Sequence, residues 1–395
     1  MDKKTIKDVS VEGKRVLVRV DFNVPLDIKT GQISDDSRIK AALPTIQYLI
    51  AHKARVILCS HLGRPDGKVV EALRLAPIAK RLGELINVPV AITSDCVGSD
   101  VEKAVNNLKP GDILLLENLR FHPEEEANDP AFAKSLAQLA DIYVDDAFGT
   151  SHRAHASTIG VAKYLPAVAG LLMEKELTRL GGILSNPEHP FAAVLGGAKV
   201  SDKIGLVQNI LKKVDKVLVG GGMAATFLKT QGYSVGLSLI ESDKLDLAQE
   251  LMNTAKQNKV LFVLPVDVVV ADSISINAVG QVVEVSNIPE NKSIADIGPK
   301  TIDMFSKQIL SCKTVFWNGP MGVYEIEQFS EGTKAMARLL AGMKATTVVG
   351  GGSTAEIVDE MNLANKITHV STGGGASLQF LEGKTLPGVA VLQDK

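Results

Sequence analysis

Short apolar runs that end in polar residues recur along the first half of the chain: "VLVRVDFNVP" (16–25), "VILCSHLGRP" (56–65), "ILLLENLRFHP" (113–123) and "IYVDDAFGTSHR" (142–153). Helical stretches such as "IKAALPTIQYLIAHK" (39–53) separate them. Continuous β-branched runs fit strands buried on both faces, and their alternation with helices predicts a parallel sheet. Ligands bind such a sheet beyond the carboxyl ends of its strands, which is where the polar residues stand.

The second half repeats the pattern with glycine at the strand ends: "AAVLGGAKVSDKI" (192–204), "KVLVGGGMAATFL" (216–228), "VVGGGSTAEIV" (348–358) and "HVSTGGGASLQFL" (369–381). Glycine lets backbone N–H groups approach an anion, and a helix N-terminus adds partial positive charge, so a nucleotide is the economical ligand. Between the halves, "VAGLLMEKELTRLGGIL" (168–184) has a partly apolar face, with Gly181 and Gly182 where a helix would stop, and "SNPEHP" (185–190) reads as a linker. The pattern predicts a helix joining two α/β domains, the alternative being a peripheral helix of one large domain.

Composition narrows the partners. The 395 residues are 45% hydrophobic and 22% charged, with a net charge of −2, which gives no reason to expect nucleic acid or a membrane surface. Cys59, Cys96 and Cys312 are too widely spaced to suggest a disulfide framework or a zinc motif and read as core residues. The start "MDKKTIKDVS" lacks an apolar signal region, and no run approaches the roughly eighteen apolar residues of a membrane span, so the expectation is a cytoplasmic protein.

The arginines are uneven. Nine of eleven lie before residue 160, and four of them, Arg38, Arg64, Arg120 and Arg153, stand at or near strand ends, joined by His61. Arginine binds carboxylate and phosphate in bidentate fashion, so the cluster points to a small, highly anionic substrate on the first domain.

Eight ordered motifs, "VLVRVDFNVP", "SHLGRP", "LLLENLRFHPEEE", "DAFGTSHRAHAST", "LGGAKVSDKI", "GGGMAATFLK", "WNGPMGVYE" and "HVSTGGGASLQFLEGKTLPGV", resemble the motif set of the phosphoglycerate kinase family over nearly the whole chain. The resemblance implies two Rossmann-like domains, each a parallel sheet flanked by helices, that close by a hinge helix. It places 3-phosphoglycerate on residues 1–168 plus the tail 382–395, the connecting helix at 169–184, and ATP or ADP on residues 185–381. The reaction implied is reversible transfer between 1,3-bisphosphoglycerate and ADP, with Mg2+ accompanying the nucleotide, in a monomer.

By the same resemblance, Asp21 and Asn23 hold the glycerate end, while Arg38, His61, Arg64, Arg120 and Arg153 form the basic patch. Lys199 and Lys203 contact the transferred group and the nucleotide phosphates. Gly196, Gly220, Gly221 and Gly298 belong to the nucleotide pocket, Asn318 and Pro320 to its loop, and Glu325 to the ribose. Gly351, Gly352, Ser353, Thr354, Gly373 and Gly374 face the phosphates, with Arg38, Lys199, Lys203 and Gly374 as the catalytic set. His152 and His155 read as structural, and Asp145 and Asp146 as helix-capping or loop residues rather than a metal pair.

Ser353 departs from the family, which carries a magnesium-serving aspartate there. "STAE" (353–356) spells a capping box, so Ser353 is expected to cap a helix over 353–360, with magnesium held mainly by phosphates and water. A two-domain nucleotide binder with little kinase activity is the alternative. "GKT" (383–385) is no P-loop, because Leu378 occupies the required glycine position. No glycine loop spells the dinucleotide fingerprint, which leaves a dehydrogenase as the enzymatic runner-up.

Overall fold

The computed structural model describes residues 2–27 and 30–395. Six strands, β1 (Arg15–Arg19), β2 (Arg55–Cys59), β3 (Val90–Ile92), β4 (Ile113–Leu115), β5 (Ile142–Asp145) and β6 (Ala167–Ala169), form a wholly parallel sheet in the order β3-β4-β2-β1-β5-β6. Val16, Val18, Val56, Leu58 and Val144 are buried, as the β-branched runs require of strands covered on both faces. Because every pairing in the sheet is parallel, the loops after β1, β2, β4 and β5 all leave from one edge of it.

The second half builds another parallel sheet. β7 (Phe191–Leu195), β8 (Lys216–Val219), β9 (Leu261–Val263), β13 (Thr314–Asn318), β14 (Thr346–Gly350) and β15 (His369–Val370) run in the order β15-β14-β13-β7-β8-β9. Between them, β10 (Asp267–Ala271), β11 (Gln281–Glu284) and β12 (Ser293–Ile297) make a three-stranded antiparallel sheet, order β11-β10-β12, which the parallel reading did not anticipate. The side chain of Trp317 on β13 is fully buried, and its indole N–H donates to Gly319 O at 2.9 Å, satisfying a donor that burial would otherwise orphan.

The chain divides into two compact units, Met1–Thr178 with Thr385–Lys395, and Arg179–Lys384. In the first unit the C-terminal segment is tied down by main-chain bonds: Lys4 N to Gln393 O (2.8 Å), Gln393 N to Ala167 O (3.0 Å) and Gly388 N to Ser151 O (2.9 Å). The division falls inside the helix Leu171–Ser185, which runs on through Gly181 and Gly182 instead of stopping there. Both glycines keep a negative φ, so the helix carries their entropic cost rather than using them as a C-cap.

Asp146 starts that helix. Its Oδ1 accepts from Leu172 N (2.9 Å) and Met173 N (3.2 Å), and a Cβ at Gly170 would overlap the same carboxylate, so the position before the helix must be glycine. Asp145 Oδ1 accepts from Ala147 N at 2.9 Å. Both side chains are therefore bound to main chain, and burial pushes each carboxyl up to about 7.

Candidate active site

The loops after β1, β2, β4 and β5 bring the basic residues of the first unit together. His61, just past β2, is buried, and its Nδ1 lies 3.1 Å from Arg19 Nη2. Burial, then the charges of Arg19, Arg120, Arg153 and Arg38, hold its imidazole well below the usual histidine range. The ring is thus neutral at pH 7 in a field of four guanidinium groups.

The rest of the patch is braced from behind. Arg38 pairs with Asp21, and Asn23 Oδ1 accepts Gly63 N at 2.8 Å. Arg120 is buried and donates from Nη1 to Gly63 O at 2.8 Å, so the main chain of one glycine residue ties Asn23 to Arg120. Arg120 Nε lies 3.1 Å from Glu126 Oε1, but the N–H is not aligned on it and has no hydrogen-bond partner. Arg153 Nε lies 3.4 Å from His152 Nε2. Arg64 is exposed and makes no ion pair among the described residues.

Two residues of this patch escape a reading by strand ends. Arg19 is fully buried within β1 and donates from Nε to Ser157 Oγ at 2.9 Å, while the buried Glu125 accepts from Ser157 N (2.9 Å) and Oγ (2.5 Å). A charge inside an apolar strand run was the available signal, since a buried guanidinium needs partners. His155, 3.9 Å from Glu125, is pushed down to about 4 by burial and then by the arginines.

In the second unit, glycine allows loops to interlock. Gly221 has φ +64°, and a Cβ there would sit 2.6 Å from Gly197 N; one at Gly220 would sit 2.6 Å from Met321 Sδ, and one at Gly196 would overlap Pro320 O. Gly221, Pro320 and Glu325 line a largely apolar cavity of about 280 Å³. Gly298 is outside the lining and packs on the Asp267 carboxylate. Asp296, which no motif singled out, faces the cavity with its oxygens on Ile297 N and Gly332 N, and burial raises it to about 7.

Beside the cavity, Lys203 is almost wholly buried. Its Nζ donates to Asn318 O at 3.0 Å and to the Asn318 side-chain oxygen, and burial lowers it to about 8. The Asn318 amide nitrogen is buried without a partner and lies against Gly350 and Gly351. Lys199 is exposed.

The head of the next helix overturns the capping expectation. That helix runs Gly352–Glu360, its N-cap is Gly351 at φ +93°, and no side chain caps it. Ser353 is therefore already inside the first turn and exposed, on the side of Tyr324, whose Oη reaches Glu356 Oε2 at 3.4 Å. Thr354 Oγ1 instead accepts Gly319 N at 2.8 Å and ties the turn to the β13 loop. Gly374, at φ +51°, precedes the helix Gly375–Leu381, and Gly373 N donates to Ser371 Oγ at 3.2 Å.

A sheet edge that gathers arginines in one unit and an edge that gathers glycines around a buried lysine in the other are the equipment of a two-unit α/β phosphotransferase. The family model for phosphoglycerate kinase matches residues 6–384, and the chain belongs to that family. It is 58% identical over 395 residues to the phosphoglycerate kinase of Pelotomaculum thermopropionicum and 57% identical to that of Moorella thermoacetica, each match covering all of both chains. Among solved structures, the phosphoglycerate kinase of Coxiella burnetii superposes with a TM-score of 0.88 at 45% identity, covering 98% of each chain. The Pyrococcus horikoshii enzyme gives 0.86 at 32% identity, again over 98% of each chain.

Proposed function

We infer that the chain transfers a phosphoryl group reversibly between 1,3-bisphosphoglycerate and ADP, yielding 3-phosphoglycerate and ATP. The observation that carries this reading is the gathering of Arg19, Arg38, Arg120 and Arg153 around the buried His61 at one sheet edge, a cluster of cations that suits a small polyanion. Arg38, His61, Arg120 and Arg153 hold the substrate's phosphate and carboxylate, Arg64 joins them from the surface, and Asp21 and Asn23 orient the glycerate end.

On the nucleotide side, the apolar cavity takes the base, with Gly221 and Pro320 on its wall, Gly196, Gly220 and Gly298 allowing the close packing behind it, and Glu325 meeting the ribose. Lys199, Lys203, the unpartnered Asn318 amide and the backbone N–H groups at Gly351–Thr354 and Gly373–Gly374 receive the phosphates. Transfer through a loose transition state needs positioning and charge neutralisation more than a base, so Arg38, Lys199, Lys203 and the Gly374 turn suffice as the catalytic set.

The nucleotide brings a divalent metal, Mg2+ on this reading, which spreads the charge developing on the phosphates. The donors around Gly351–Thr354 are an ammonium, an amide and backbone N–H groups, which suit phosphate oxygens rather than a cation. Thr354 is engaged by Gly319, so Ser353 is the hydroxyl that turn can offer, and the ion is held mainly by phosphates and water. The working form is a cytoplasmic monomer without nucleic-acid or membrane partners; no helix among the described residues is long and apolar enough to cross a membrane.

A coupled assay with 3-phosphoglycerate, ATP and magnesium tests this. Turnover is expected. Intact ADP binding without turnover would leave a nucleotide-binding protein, and nicotinamide-dependent activity would leave a dehydrogenase.

A further inference from the structure

We propose that Asp95, Cys96 and His122 form a binding site for one thiolate-preferring divalent cation, zinc or cobalt, in the first unit. One ligand atom from each lies within 4.8 Å of the other two. The Asp95 carboxylate is the hub: its Oδ1 is 2.6 Å from His122 Nε2 and accepts Cys96 N at 2.6 Å. A sulfur, an imidazole nitrogen and a carboxylate oxygen, the three atom types that zinc and cobalt accept together, thus converge on one place.

The geometry needs little change. Zinc distances of about 2.3 Å to sulfur and 2.0–2.2 Å to nitrogen and oxygen set neighbouring ligand atoms roughly 3.5 Å apart, so closure asks for about an ångström of movement. The movable partners are the accessible ones: the Asp95 side chain is 51% exposed and that of His122 28%, while Cys96 is fully buried and forms the floor. The cation enters from solvent, the thiol proton leaves, and water takes the fourth position.

The surrounding chain holds the ligands near their places. Asp95 O accepts Thr93 Oγ1 at 2.6 Å and Glu117 N at 3.4 Å, and the His122 ring packs 5.2 Å from Phe132. Sequence spacing hides the site, since the loop before the helix Ser99–Asn106 supplies two ligands and the residue before the helix Pro123–Glu126 supplies the third. Thiolate and imidazole also separate it chemically from magnesium, which prefers oxygen ligands.

The test uses the full chain, freed of metal by chelation and without nucleotide, titrated with cobalt(II). A thiolate-to-cobalt charge-transfer band should saturate at one equivalent and persist in excess magnesium. Cys96→Ser should abolish the band. His122→Gln, a change at a partly exposed side chain, should keep the native circular dichroism and raise the dissociation constant roughly tenfold or more. The inference is overturned if the native protein gives no band, or if the band and its affinity survive His122→Gln unchanged, which would place cobalt on Cys59 or Cys312. His122→Gln decides the matter even where Cys96→Ser does not fold.

Discussion

Lys203 and Asn318 share more than one bond: the ammonium donates to both the main-chain and the side-chain oxygen of the asparagine, which leaves the amide nitrogen as the group facing the glycine turn. The lysine thereby orients its partner's donor as well as presenting its own charge. Asn318→Ala is expected to lower kcat by roughly a hundredfold, in line with removal of one preorganised donor, and to cost about 1–3 kcal/mol of stability because the buried Lys203 ammonium loses an acceptor. Steady-state kinetics check this, and an unchanged kcat would remove Asn318 from the phosphate site.

Burial lowers Lys203 to about 8, below its ordinary value, so the free protein sheds that proton earlier than the unfolded chain does. Below about 8 both states carry the charge and the folded state bears its desolvation. As pH rises from there toward the ordinary lysine value of about 10.4, the unfolded chain holds more protons and this unfavourable contribution fades. Phosphate binding needs the cation, so ADP affinity should fall as pH passes about 8. Calorimetric titrations across that range measure it, and a flat profile would detach Lys203 from the phosphates.

Arg38→Ala should cut turnover by an amount on the order of 3 kcal/mol in transition-state stabilisation while leaving ADP affinity nearly intact, because its partner Asp21 and neighbour His61 belong to the first unit. Collapse of ADP affinity with turnover untouched would reverse the assignment of ligands to units.

Ser353 bears on metal dependence rather than on capping. Gly351 fills the N-cap, so Ser353→Ala should change stability by only a few tenths of a kcal/mol, short of the roughly 1 kcal/mol lost with a true cap. Ser353→Asp puts a carboxylate in the first helical turn, worth about 0.3–1 kcal/mol against the helix dipole, and should lower the magnesium concentration needed for half-maximal turnover. Thermal melts and magnesium titrations separate the two. A sharply raised magnesium requirement in the alanine variant would make the hydroxyl a ligand.

Asp146 predicts a pH dependence of stability of the opposite sign to an ordinary surface carboxylate. Its carboxyl is raised by burial to about 7, so its favourable contribution is complete below the ordinary aspartate value of about 3.9 and is lost as pH rises toward 7. Asp146→Asn retains an oxygen for Leu172 N and Met173 N and should flatten that slope, whereas Asp146→Ala should cost about 1–2 kcal/mol through the lost cap. Denaturant melts at several pH values decide it; an unflattened slope in the asparagine variant would assign the effect to Asp145.

What could be read in the chain before its structure depended on whether the signal was local. The runs at β1, β2 and β8 carry enough β-branched residues, and that at β7 a continuous enough apolar stretch, to declare themselves, and the polar or glycine residues that follow mark the ligand edge. Which of three glycines turns the chain is not local: Gly350–Gly352 are identical in sequence, yet Gly350 ends the strand, Gly351 takes the positive φ and Gly352 opens the helix. The capping box at Ser353 failed for that reason. The antiparallel β10–β12 sheet was missed because β11 is largely exposed and shows no continuous apolar run. Arg19 and Glu125 were missed because their pairing through Ser157 joins residues far apart in the chain.

The buried indole of β13 has a practical consequence. Trp317 is the single tryptophan of the chain, and it sits one residue before Asn318 with its N–H anchored on Gly319, the residue that also donates to Thr354. Its emission therefore comes from one place, a dry setting in the loop that links the buried lysine to the head of the Gly352–Glu360 helix. The protein carries its own optical gauge of that loop, and a change in intensity or wavelength when nucleotide is added reports the event without a dye, a label or a coupled enzyme.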